Sequence, residues 1–211
     1  MKLSELYNTK KRTISFEVFP PDTELVDKEK IKLEMMELAK FKPDFISLTY
    51  GAGGKNDVQA KEVLNALHER FEFEIMPHLT CVCSNKKFID ESLSFLKQLG
   101  TENILALRGD KPNDSEITCT DFHYANELVE YLKAKTNFSI AVAGYPEGHI
   151  ESENIEDDIK NLKKKINAGG DAIFTQLFFD NDKFYKYKEL VMNAGITKPI
   201  IAGIMPILSL K

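Results

Sequence analysis

The chain has 211 residues, 43% hydrophobic and 29% charged, which excludes disorder as the main state and fits a single domain of ordinary to large size. Eleven glycines and eight prolines are too few for a collagen-like or low-complexity chain. A net charge of -5 argues against general nucleic-acid binding, which needs a basic face.

Met1 to Arg12 is polar and carries no apolar stretch, so no signal peptide is expected there. Thr13–Phe19 (TISFEVF) predicts a strand. Lys28–Lys40, with Ile31, Leu33, Met35, Met36 and Leu38, predicts a helix. Phe45–Thr49 is the next strand, and Asp57–Phe71 the next helix, with Val58, Val63, Leu64 and Leu67 on one face. Strand Glu74–Leu79, helix Phe88–Leu99, strand Asn103–Leu107 and helix Phe122–Lys135 follow. Strand Ser139–Ala143, helix Ile155–Ala168, strand Ala172–Gln176, helix Lys183–Ala194 and strand Ile200–Ile204 complete the pattern. No run approaches the ~18 apolar residues that a membrane span requires.

Seven strands thus alternate with six helices, at a period near 30 residues. Such a period means parallel strands joined by crossover helices, and continuous apolar strands mean a sheet covered on both faces. Either an open doubly wound sheet or a closed (β/α)8 barrel would satisfy it. A dinucleotide-binding doubly wound fold should show G-x-G-x-x-G after an early strand. The first strand instead runs into Phe19-Pro20-Pro21, and Gly51-Ala52-Gly53-Gly54 has the wrong spacing. The barrel is therefore expected, as one domain over residues 1–211 with its last unit missing, because a typical barrel runs to ~250 residues.

Catalytic groups of such barrels stand at the C-terminal ends of the strands. These ends read Glu17, Thr49-Tyr50-Gly51, Pro77-His78-Leu79-Thr80, Arg108-Gly109-Asp110, Tyr145-Pro146-Glu147-Gly148-His149, Thr175-Gln176 and Gly203-Ile204-Met205-Pro206. Their recurrence at one end suggests one converging site. Glu17, between Phe16 and Val18, would have its carboxyl pKa raised by apolar surroundings and could act as a general acid. A lone strand glutamate more often faces solvent or pairs with a lysine, and it is the barrel frame that favours chemistry. His78 by itself is more often a core or capping histidine than a tuned one. Arg108 and Asp110 could be a surface ion pair, or could face a phosphate and a developing cation respectively. Gln176 is expected at a buried strand end, where its amide needs partners. Asp158, Asn161, Lys164 and Lys165 fall roughly along one helical stripe. Such a stripe is usually a solvated face, but it could also clamp a ribose and a diphosphate. The aromatic cluster from Phe178 to Tyr187 reads as packing.

Cys81, Cys83 and Cys119 are odd in number, and Cys-X-Cys is not zinc-knuckle spacing, so a reduced, cytoplasmic protein without a metal site is expected.

The strings S-F-E-x-F-P-P, L-T-Y-G-A, P-H-L-T-C, L-A-L-R-G-D-x-P, A-x-Y-P-E-x-H, T-Q-x-F-F-D and G-I-x-P-I occur in this order, one per strand. Together, from Thr13 to the last residue, they resemble the bacterial type of methylenetetrahydrofolate reductase. The resemblance implies a (β/α)8 flavoprotein of one-carbon metabolism. It would reduce 5,10-methylenetetrahydrofolate to 5-methyltetrahydrofolate, with FAD bound and NADH or NADPH as co-substrate, in a ping-pong scheme. Glu17 matches the family's general acid. Asp110 matches an aspartate near the flavin and the pterin, with catalytic and substrate-binding roles, and Gln176 a glutamine that contacts folate and nicotinamide. The FAD positions would be Thr49, His78, Arg108, Asp110, Ala143, Tyr145, His149, Asp158, Asn161, Lys164 and Lys165. The family often has arginine where Lys164 stands, so the bidentate fork is lost there. Family members continue for roughly 80 residues past the seventh strand, carrying the last strand and a phenylalanine that contacts folate.

Two other readings compete. One is a partner-dependent or non-catalytic flavin-binding subunit, and a homo-oligomer or a partner subunit stays open. The other is an unrelated barrel lyase or aldolase. That would call for a Schiff-base lysine at a strand end, and only Lys111, just beyond the fourth strand, comes near.

Overall fold

The computed structural model describes residues 1–19, 28–49, 57–69, 71, 73–110 and 121–207. The expectations for Pro20-Pro21, Tyr50 to Gly54, Lys111 and Cys119 lie outside the described residues. In chain order the elements are α1 (Leu3–Thr9), β1 (Ser15–Val18), α2 (Lys28–Ala39), β2 (Phe45–Leu48), α3 (Asp57–His68), β3 (Glu74–Thr80) and α4 (Lys86–Gln98). They continue as β4 (Asn103–Leu107), α5 (Ala125–Lys135), β5 (Ser139–Gly144), α6 (Ile155–Asn167), β6 (Ala172–Thr175), α7 (Asn181–Asn193) and β7 (Ile200–Ile201).

All seven strands pair in parallel, in the order β1-β2-β3-β4-β5-β6-β7. A strictly sequential order contains no reversal point, and right-handed crossovers then put every connecting helix on the same face. This excludes the doubly wound alternative. The other face must close on itself, and one contact shows that it does. The rings of Phe45 on β2 and Phe174 on β6 meet edge to face, with centroids 5.9 Å apart. In a flat sheet, four strand spacings would hold those strands ~19 Å apart. The sheet is curled, with β1 and β7 at its two ends.

Two apolar clusters follow from this geometry. The larger lies between the sheet's outer face and its helices, with Leu48, Ile75, Ile104, Ile140, Val142 and Ile173 packing against Leu64, Leu93, Val129, Leu162 and Val191. The smaller lies inside the curl and joins Phe45, Met76, Leu105, Ala141 and Ala172 to Leu3 and Leu6. Those two leucines come from α1, a helix in addition to the six expected. It plugs the floor of the half-barrel. Its backbone is tied down by Asn103 Oδ1, which accepts from Leu3 N–H at 2.7 Å, and by Ser139 Oγ, which accepts from Ser4 N–H at 3.3 Å.

Capping chemistry sets several boundaries. Asn85 Oδ1 accepts from Phe88 N–H at 2.8 Å and starts α4 two residues before the expected position. Asp180 accepts from Asp182 N–H and starts α7 at Asn181 rather than Lys183. The Glu127 carboxylate reaches back to the N–H groups of His123 and Tyr124, so α5 begins at Ala125 rather than Phe122.

Candidate functional site

The inner face at the C-terminal end of the strands is open, and register decides what stands there. Glu17 is level with Ser47, and the ladder continues through Thr49 N–H, which donates to Val18 O at 3.1 Å. Strand alternation places Glu17, Thr49 and His78 on this one face. Thr49 Oγ1 donates to Glu17 Oε1 at 3.1 Å, and His78 Nδ1 lies 4.0 Å from the same oxygen. The Glu17 side chain is 50% exposed. The expected enclosure of Glu17 by its apolar neighbours is therefore corrected. Phe16 alternates to the opposite face, where it stacks edge-on against Phe41, and Glu17 opens to the mouth of the curl.

His78 is the opposite case. Its ring is buried, and burial lowers its pKa to about 4, so the imidazole is neutral at physiological pH. Its Nε2 finds no hydrogen-bond partner among the described residues. A buried, unsatisfied ring nitrogen at the end of a strand is an unused polar group.

Beside this group lies a cleft of about 450 Å³ between the ends of β4 and β5, the start of α5 and the body of α6. Eight predicted cofactor residues line it: Arg108, Ala143, Tyr145, His149, Asp158, Asn161, Lys164 and Lys165. Gly109, with φ 86°, turns the chain after Arg108. A Cβ there would come within 2.6 Å of Val82 Cγ1, so glycine is required at that turn. The Arg108 guanidinium forms a two-pronged pair with Glu151, at 2.6 and 3.0 Å, which raises its pKa further. Buried Asp158 accepts from His149 N–H at 2.9 Å and from Ser152 Oγ at 3.2 Å, fixing the loop before α6. Lys165 donates to Ala143 O at 2.5 Å and stands 5.6 Å from the centre of the Tyr145 ring. Burial lowers its pKa to about 8, with Asp158 opposing the shift. Tyr145 packs edge-on against His149 at 4.7 Å, and burial, followed by the charge of Asp158, raises its pKa. Asn161 and Lys164 are exposed and bonded to each other at 3.0 Å.

Asp110 and Gln176 are exposed and join neither group by a direct contact. Asp110 is felt at Tyr145, whose pKa its charge helps to raise. The expectation of a buried amide at Gln176 is corrected. Its backbone N–H donates to Gly144 O at 2.7 Å, and its side chain is exposed. Sequence reasoning missed Tyr124, Ala125, Asn126, Glu151 and Ser152, which also line the cleft. Glu127, three residues after Tyr124, was a legible sign of the helix start; nothing in spacing marked Glu151.

The family model described as Methylenetetrahydrofolate reductase matches residues 2–211. The chain is 40% identical over 202 residues to Methylenetetrahydrofolate reductase 1 of Schizosaccharomyces pombe, covering 93% of this chain and 33% of that protein. It is 37% identical over its whole length to the Probable methylenetetrahydrofolate reductase (NADH) of Oryza sativa, of which it covers 38%. It is 35% identical over 198 residues to the 5,10-methylenetetrahydrofolate reductase of Pectobacterium carotovorum, covering 94% of this chain and 65% of that protein. It thus spans about a third of the length of the fungal and plant relatives and about two thirds of the bacterial one. Among solved structures it resembles phosphonopyruvate hydrolase in complex with oxalate and Mg++, with a TM-score of 0.64 at 11% identity, over 98% of this chain and 72% of that one. It also resembles N-acetylneuraminate lyase from Mycoplasma synoviae, with a TM-score of 0.61 at 16% identity, over 92% of this chain and 64% of that one. These likenesses speak for the fold alone.

Proposed function

The chain belongs to the methylenetetrahydrofolate reductase family, and on that premise we propose that it reduces 5,10-methylenetetrahydrofolate to 5-methyltetrahydrofolate, with FAD bound and NAD(P)H as donor. The observation that carries this reading is a half-exposed carboxyl at the mouth of the half-barrel, beside a cleft lined with cations.

The residues of the cleft fit FAD. Arg108, Lys164 and Lys165 are the cations a diphosphate needs, and Asp158 and Asn161 are acceptors for ribose hydroxyls. Lys164 can hold a phosphate as a point charge but not with a fork. Lys165, at a pKa of about 8, is mostly protonated near neutrality, and a bound anion would hold it more firmly so. The unsatisfied Nε2 of His78 and the acceptor lone pairs of the Thr49 hydroxyl, whose proton goes to Glu17, are polar contacts left for the flavin. When bound, FAD supplies a two-electron carrier that accepts hydride from NAD(P)H and passes it to the folate, in a ping-pong exchange.

Glu17 is the proton donor in this reading. Thr49 bonds Oε1 and fixes the plane of the carboxyl, leaving Oε2 to carry the acid proton. Neutral His78 adds no positive charge beside it. Transfer of that proton to a ring nitrogen of the folate breaks the methylene carbon–nitrogen bond and leaves an iminium cation. Asp110 would stabilise that cation, and Gln176 would hold the pterin or the nicotinamide by hydrogen bonds.

Glu17→Gln should slow folate reduction about 100- to 10,000-fold, the range typical of a lost general acid, and leave flavin reduction by NAD(P)H nearly unchanged. Anaerobic stopped-flow of the two half-reactions separates them. Equal losses in both would remove Glu17 from the acid role.

A further inference from the structure

Arg108 enters the cleft with all three of its nitrogens engaged. Nη1 and Nη2 donate to Glu151 Oε2 and Oε1 at 2.6 and 3.0 Å, and Nε donates to Gly109 O at 3.2 Å. The arginine is 18% exposed and the glutamate 42%. A carboxylate seated in that fork takes the place a phosphoryl group would take. The segment that presents Glu151 is held on both sides. Asp158 accepts from His149 N–H and Ser152 Oγ, and Glu151 N–H donates to His149 Nδ1 at 3.1 Å.

We infer that Glu151 is a specificity-determining residue of this cleft: a built-in counter-ion that an entering ligand must displace from Arg108. A neutral ligand cannot replace the lost pair and gains nothing from Arg108. A diphosphate replaces it and also reaches Lys164 and Lys165, which line the same cleft. Asp158, which holds the segment through His149 and Ser152 on its two separate oxygens, keeps lone pairs for a ligand hydroxyl, so it is the diphosphate that has a pair to displace. The inference rests on the nucleotide reading of the cleft proposed above.

Titration calorimetry of the full chain with ADP, adenosine and FAD tests it, comparing the natural protein with Glu151→Gln and Glu151→Ala. Both substitutions should tighten ADP and FAD roughly three- to tenfold, the worth of one partly exposed two-pronged ion pair, and leave adenosine unchanged. Unchanged or weaker ADP binding in both variants would overturn the inference, because Glu151 would then hold Arg108 in place rather than compete for it. If the variants tighten ADP while FAD binds to none of the proteins, the counter-ion role stands and the flavin reading falls. If FAD binds alike to all three and ADP does not tighten, the reverse holds. If no ligand binds to any of them, both fall.

Discussion

His78 shows how much of the site's chemistry is set by where one side chain lies. Its neutral ring is stable only because burial excludes the proton, so the folded pKa, about 4, lies below the ordinary histidine value of 6.5. Between those two values the unfolded chain binds a proton that the native chain refuses. Stability should therefore be full above pH 6.5 and fall as the pH drops toward 4, by on the order of 3 kcal/mol from this residue. Urea melts at pH 7 and pH 4.5 should show a smaller loss in His78→Gln than in the natural chain, and equal losses would contradict the buried-neutral assignment. The residues that were legible in the sequence were those lying at strand ends or along one helix stripe, because strand order and helical period carry them together. Glu151 was not legible, since its partner Arg108 is 43 residues away and only the fold joins them. The exposure of Glu17 and Gln176 was likewise misjudged. An apolar strand does not reveal which face ends in open space.

Among the elements, strand and helix centres followed from periodicity, while their ends followed from caps that periodicity does not see. Helix α1 was missed because only Leu3 and Leu6 of its seven residues are buried, and their burial against the inner face is a tertiary fact. A close contact between β5 and α7 gives a test of element packing. A Cβ on Gly144 would meet Tyr187 Oη at 2.0 Å and Ile173 Cγ2 at 2.8 Å. Gly144→Ala should cost about 1–3 kcal/mol by overpacking. Tyr187 Oη is buried and has no partner among the described residues, so Tyr187→Phe alone should be neutral or slightly stabilising. Combined, the two substitutions should recover part of the loss, with the Ile173 contact remaining. A double-mutant cycle of denaturation midpoints measures this, and strictly additive effects would show that α7 does not press on β5 at this point. Gly144 also stands between Ala143 and Tyr145 on the cleft wall, so the single substitution should weaken ligand binding there as well.

At the scale of the whole molecule, a near-30-residue period implied parallel strands but left two architectures, and the missing glycine fingerprint only tilted the choice. The sequential strand order and the contact of Phe45 with Phe174 decide it, because only a sheet that curls back on itself satisfies both. Its mouth gathers Glu17, Thr49 and His78 from strands that pair side by side, and the adjoining cleft gathers eight of the expected cofactor residues. The α1 plug closes the floor, so the functional groups and the opening share the upper end. No helix among the described residues is long and apolar enough to cross a membrane. In the proposed reaction this mouth and cleft together hold a flavin that exchanges electrons with both a nicotinamide and a folate. The most direct test is the anaerobic visible spectrum of the full chain, incubated with FAD and desalted. A flavin band should appear that bleaches with NADH or NADPH and returns on addition of 5,10-methylenetetrahydrofolate. Protein that stays colourless, or a band that neither donor bleaches, would contradict it.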